Sequence, residues 1–186
     1  MEIKDHLFHL FETSTQNIST IQAKFERRDI QRADLILESG KLCQELSFIA
    51  SGFCRVYKST EDKEVTQWIG SPGYFLTDLS SFLFDQKANW NIEALTPMTL
   101  WTLKKSDYHL FEQEIPDWNI FEKRFVAKCF IQMENRIFDF IALTAEERYQ
   151  QYFEHHKTLF QHVPLQYIAS VLGMSPETLS RIRKKI

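Results

Sequence analysis

The chain has no run of about 18 apolar residues, so no membrane-spanning helix is expected. Its start, Met1-Glu2-Ile3-Lys4-Asp5-His6, lacks the basic segment and apolar core of a secretion signal, and a cytoplasmic protein is expected. Cysteine is scarce: Cys43, Cys54 and Cys129 lie far apart, two in apparent strands and one on an apparent helix. They read as buried thiols of a reducing compartment, not as a disulfide or a cluster site. No histidine falls between His9 and His109, so the strand region cannot supply the clustered imidazoles of a metal-dependent cupin-type enzyme. His155, His156 and His162 read as surface or interhelical residues, and neither a metal nor another cofactor is expected. A Gly-rich phosphate loop and a nucleophile motif are also missing, which leaves an enzymatic reading with little support.

What is present is a globular composition: 186 residues, 44% hydrophobic and 25% charged, with 16 Phe. That suffices for one or two small domains with real cores. The net charge of -3 hides an asymmetry. From Pro164 onward Arg181, Arg183, Lys184 and Lys185 stand against Glu177 alone, leaving +3 there and -6 on the remainder. A basic tip on an acidic body suits a local contact with a polyanion. A solvated helix C-terminus, where cations suit the macrodipole, is the plainer account of the same charges.

Three regions follow one another. Leu7, Phe8, Leu10 and Phe11 predict a short amphipathic helix from about Met1 to Ile18. Between Ile21 and Leu103 short apolar runs alternate with turns at Gly40, Gly52, Gly70 and Pro72-Gly73, and Glu61-Asp62-Lys63 looks like a hairpin tip. Many short strands at regular spacing predict a β-roll or barrel. After a short segment capped by Ser106-Asp107, the stretch Asp117 to Leu143 runs without Gly or Pro, a helix of roughly 40 Å. Phe121, Phe125, Cys129 and Met133 form one apolar stripe; Val126, Phe130, Ile137 and Ile141 form a second. Two stripes need two partners: the roll and the same helix of a second subunit are expected, a helix buried inside one subunit being the alternative. Thr144-Ala145-Glu146-Glu147 is a capping box that starts another helix.

The segment "PLQYIASVLGMSPETLSRIRKKI" has helix-turn-helix spacing. Ile168, Ala169 and Leu172 line one face of a first helix, Gly173 permits a left-handed turn, and Ser175 and Pro176 open a second helix. Leu179, Ile182 and Ile186 share that helix's inner face at about 100° per residue, with Glu177, Arg181 and Lys184 opposite. Arg and Glu are base-edge readers; Ser175, Thr178, Ser180, Lys184 and Lys185 suit phosphates. The outer face is left uncovered because DNA is expected to cover it.

Taken together, "LILESGKLCQELSFIASGFCRVY", the long helix and "PETLSRIRKK" resemble the Crp/Fnr family of bacterial transcription regulators over nearly the whole chain. The Ser-Pro-x-Thr-Leu-Ser-Arg-Ile-Arg form is similar to members common in Bacteroidetes. The resemblance implies an α+β chain: a jelly-roll-like β-roll (a double-stranded β-helix) over residues 1–116, a dimerisation helix over 117–143 and a DNA-binding helix-turn-helix over 144–186. It implies a homodimer on double-stranded DNA, at an imperfect palindrome with half-sites about two turns apart. An unknown small-molecule effector and RNA polymerase are the further partners it implies; a membrane is not.

In cyclic-nucleotide-binding members of that family the roll carries a cassette of the form F-x-G-E, with R-S-A ten residues on. Against it, Thr77 stands for the Gly, Asp78 for the Glu, Ala88 for the Arg and Asn89 for the Ser. Ala88 offers no cation to a cyclic phosphate, so cyclic AMP is not expected to bind. Glu177 and Arg181 match the base-reading Glu and Arg of the recognition helix, whereas Pro176 stands where many members carry another Arg. The second reading is a ligand-binding roll whose helical tail serves protein interaction.

Overall fold

The computed structural model describes residues 3–11 and 14–185. In place of one N-terminal helix there are two, α1 (Ile3–Phe11) and α2 (Thr15–Ala23). The second begins where Ser14 turns extended and its hydroxyl accepts from the Asn17 N–H, a local cap that competes with helix continuation. Leu7, Ile18 and Ile21 are buried. The side chains of Phe8, Leu10 and Phe11 from the expected stripe lie outside those described, as does Ile186. Ile21 belongs to α2, so the strand region starts at Glu26.

Eight strands follow: β1 (Glu26–Ile30), β2 (Leu35–Leu37), β3 (Glu45–Ser51), β4 (Cys54–Ser59), β5 (Glu64–Gly70), β6 (Phe75–Leu76), β7 (Asn91–Ala94) and β8 (Met98–Lys104). They form two antiparallel sheets, ordered β1-β8-β3-β6 and β2-β7-β4-β5. The β-roll is present, and the chain is α+β. Thr60 closes the β4–β5 hairpin around Glu61-Asp62-Lys63, its N–H and hydroxyl both donating to the Lys63 carbonyl. Cys43 lies just before β3, next to the Leu42–Lys87 bridge, and not in a strand.

Strand β3 is buried from Leu46 to Ile49 because both of its faces are covered. Ile49 turns inward with Ile30, Cys54, Val56, Ile92 and Leu100 to fill the roll. Leu46 and Phe48 turn outward, against Ile18, Ile21, Phe111 and Trp118 from the helices. Period-two geometry makes the split automatic. Burial raises the Cys54 thiol to about 12, which keeps it protonated and inert. Between β3 and β4, Gly52 has φ +83 and lies so close to Pro97 and Met98 that no Cβ fits.

The remaining helices are α3 (Leu79–Phe84), α4 (Lys105–Glu114), α5 (Trp118–Ala142), α6 (Ala145–His155), α7 (Leu159–His162), α8 (Leu165–Val171) and α9 (Pro176–Arg183). The expected Ser106-Asp107 cap is not used. β8 runs straight into α4, whose N-cap is Lys104, and the Lys105 N–H is answered by the Gln44 carbonyl. Thr144 and Glu147 form the reciprocal capping box of α6.

Helix α5 uses its two stripes differently. Phe121 and Phe125 pack on the roll-side core, but Met133 is 53% exposed. The helix has left the core by then, so Met133 joins Phe130, Ile137 and Ile141 on the uncovered side.

Candidate functional site

Helices α8 and α9 meet through a turn that starts after Leu172. Gly173 takes φ +66, and the Met174 N–H reaches back to the Ala169 carbonyl, the tie that left-handed helix ends use. Ser175 caps α9 by accepting from the Thr178 N–H, and Pro176 occupies the first turn. Ile168, Ala169, Leu179 and Ile182 are buried between the helices and their supports. The outer face of α9 carries Glu177, Ser180, Arg181, Lys184 and Lys185, all exposed around a shallow depression. Ser175 is exposed beside them and Thr178 half-buried. The Glu177 N–H and the Ser175 hydroxyl hold the Glu177 carboxyl below the usual carboxylate range. It is therefore an ionised acceptor at neutral pH, four and seven residues from two exposed cations, Arg181 and Lys184.

The cassette residues come together in the roll, but their polar groups answer one another. Asp78 is 3% exposed and caps α3. Its Oδ1 accepts from the Ser80 hydroxyl at 2.8 Å and the Ser81 N–H at 3.0 Å. Its Oδ2 accepts from the N–H groups of Asn89 at 2.7 Å and Trp90 at 3.3 Å. Burial opposes ionisation, yet these hydrogen bonds outweigh it and hold the carboxyl below its ordinary value. Thr77 donates its hydroxyl to the Glu45 carbonyl, and the Asn89 amide donates to Ser80. Ala88 is buried, its N–H and carbonyl paired with Lys41 and Gly40. Lys87 is exposed. At the other end of α3, Asp85 takes a left-handed φ and its carboxylate meets Lys105 Nζ at 2.8 Å.

Several anchoring residues escape a motif search. Ser80, Ser81 and Trp90 complete the Asp78 cluster; Asp78 immediately before Leu79 is itself an N-cap signal. Arg136 donates to the Val171 carbonyl and Arg148 to the Leu172 carbonyl, so two cations from α5 and α6 hold the C-terminal end of α8. Arg55, the lone cation inside "FCRVY", is 5% exposed and bonds Glu64 and Glu93. His162 stacks on Phe53, His156 lies against Tyr152, and the His155 ring nitrogen meets the Gln151 carbonyl. Among the described residues no three His, Cys, Asp or Glu are grouped to hold a metal ion, and no helix is long and apolar enough to cross a membrane.

Residues 27–113, the roll with its capped helix α3 and most of α4, match the family model "Cyclic nucleotide-binding domain". Solved structures share the fold over almost the whole chain. The c-di-GMP responsive global regulator CLP from Xanthomonas campestris superposes with a TM-score of 0.68 at 16% identity, covering 92% of this chain and 91% of that one. The catabolite activator protein of Thermus thermophilus gives 0.61 at 21% identity, over 97% and 85%. FixK2 from Bradyrhizobium japonicum gives 0.70 at 16%, over 87% and 83%. No curated protein matches the sequence.

Proposed function

We propose that this chain is a sequence-specific, DNA-binding transcription regulator that acts as a homodimer in the cytoplasm, with a roll that does not take cyclic AMP. Residues 1–116 are the roll unit, 117–143 the dimerisation helix and 144–186 the DNA-binding head. The observation that carries the reading is the two-sided character of α9. Leu179 and Ile182 are buried at 0% and 6%, while Arg181, Lys184 and Glu177 stand free on the opposite face. Arg181 is assigned to a guanine edge and Glu177 to a cytosine amino group; Ser175, Thr178, Ser180, Lys184 and Lys185 are assigned to phosphates.

The free side of α5 supports the dimer. Val126, Phe130, Met133 and Ile137 follow alternating four- and three-residue spacing and are each 39% exposed or more. That spacing is the seam of a two-helix coiled coil. The names of the structural neighbours, two of them a regulator and an activator, agree with the reading.

The test is selection and sequencing of genomic fragments bound by the purified chain, followed by titration across salt. An imperfect palindrome and a steep fall of affinity with salt are expected. Arg181→Ala should cost about 1–3 kcal/mol per base contact and relax the preference at one position of each half-site. Fragments with no common sequence, or an Arg181→Ala variant as selective as wild type, would overturn the assignment. Capture of the head by a protein instead would favour the interaction-tail reading.

A further inference from the structure

Beside the apolar cluster that Phe53, Ile69 and Leu95 of the roll share with Ile168 and Leu172, helix α8 is clipped to the roll by groups that do not belong to the outer face of α9. Strand β5 is the edge of its sheet, where backbone groups normally lack partners. At Thr66 both are answered by one side chain from the head: the Thr66 N–H donates to Ser170 Oγ at 2.9 Å, and the Ser170 hydroxyl donates to the Thr66 carbonyl at 3.2 Å. One helical turn away on the same face of α8, the Tyr167 ring covers Arg55, with the guanidinium carbon 4.4 Å from the ring centroid. Tyr57 covers the guanidinium at 3.9 Å. The cation is therefore flanked by one ring from the roll and one from the head, and Glu64 and Glu93 neutralise it. Throughout this docked arrangement the outer face of α9 stays exposed.

We propose that Tyr167 and Ser170 are positioning residues that latch the head onto the β4–β5 hairpin. The latch delivers α9 in one orientation relative to α5, and so fixes the half-site spacing that a dimer reads. The inference rests on the DNA-binding reading above. Its physical basis is preorganisation: a head already held in place loses less orientational freedom on binding than one swinging from α6. Because docking leaves α9 free, release is expected to weaken DNA binding and not to unmask it.

The experiment compares wild type with Tyr167→Ala/Ser170→Ala and with Tyr167→Phe, which keeps the ring over Arg55. Amide exchange at Thr66 is read first. It is expected to be slow in wild type and Tyr167→Phe, and at least about tenfold faster in the double variant. Operators from the fragment selection, with half-sites moved apart by one and two base pairs, are then titrated. The double variant should bind the best operator about tenfold more weakly, with its spacing preference flattened; Tyr167→Phe should behave as wild type. The melting temperature of each variant separates this from loss of the head's fold, which would lower affinity at every spacing alike. Tighter binding by the double variant, or unchanged affinity with unchanged spacing preference, overturns the positioning role. Fast exchange at Thr66 in wild type overturns the latch itself. A wild-type chain that binds no DNA while Thr66 stays protected sinks the DNA reading, and the positioning role with it, but not the latch.

Discussion

The Phe140 ring of α5 lies directly over Gly173 in the turn between α8 and α9, so close that a Cβ on Gly173 would stand 2.5 Å from Phe140 Cε1. Arg136 and Arg148, the two residues that bond the last carbonyls of α8, both lie over the same ring, at 5.7 Å and 5.0 Å from its centroid. The turn that orients α9 is thereby seated on the end of the long helix. Gly173→Ala meets two penalties: a left-handed φ costing about 1–2 kcal/mol for a residue with a Cβ, and a steric one from the ring. Thermal melting separates them. In a Phe140→Ala background only the backbone penalty should remain, so Gly173→Ala should cost less there than in wild type. Equal costs in both backgrounds would show that the ring yields freely.

The uncovered side of α5 makes a second prediction. Phe130 and Ile137 are 58% and 55% exposed in a single chain, so Glu at either position leaves the monomer's core untouched. At a two-helix seam the same Glu is an unpaired buried charge, a cost of several kcal/mol. Sedimentation should find wild-type dimers at micromolar concentration, and folded monomers of Phe130→Glu and Ile137→Glu that no longer hold DNA. A monomeric wild type under those conditions counts against the dimer.

Local patterns were readable where the local interaction also decides the structure. Thr144 and Glu147, Ser175 and Pro176, and the Glu61-Asp62-Lys63 tip are short-range devices, and each forms as the sequence predicts. Misreadings arose where a distant or competing partner intervened. The first helix breaks because Ser14 caps a new one, and Ser106-Asp107 goes unused because Gln44, far away in the chain, answers the Lys105 N–H. Met133 has the spacing of a core residue, but periodicity cannot say where the roll ends beneath the helix. The cassette was legible as a place and not as an arrangement. That Asp78 would gather its own N–H donors depends on the Asn89–Trp90 segment folding back onto α3, which no local pattern encodes.

Asp78 makes the stability of the roll depend on pH. Its folded pKa lies below the unfolded carboxylate value of about 3.9. The contribution is therefore complete above that value and is lost as pH falls through the folded pKa. Asp78→Asn places an amide NH2 where one oxygen now accepts two hydrogen bonds, opposing donor to donor. The variant should be less stable than wild type by about 1–3 kcal/mol at neutral pH, with the gap closing below about pH 4. Denaturant titrations at pH 7, 5 and 3.5 read this directly. A gap that stays constant across the range would mean that the charge on Asp78 does not matter.

The same carboxylate bears on what the roll can bind. A cyclic nucleotide brings one negative charge, and burying it without a cation is costly. Ala88 supplies none, and its backbone is already paired with Gly40 and Lys41. The N–H groups of Ser81, Asn89 and Trp90, the donors nearest the cassette, are spent on Asp78, which would stand as a second negative charge beside the phosphate. Lys87 is the nearest cation in sequence, but it is exposed and its position is pinned by the bridge to Leu42. Calorimetry with cyclic AMP and cyclic GMP at millimolar concentration should therefore show no binding to wild type. Binding at micromolar concentration that Lys87→Ala removes would mean that the loop slips by one residue and carries the ammonium inward. Binding that survives Lys87→Ala would mean that Asp78 lets go of its donors and the cassette opens around the ligand.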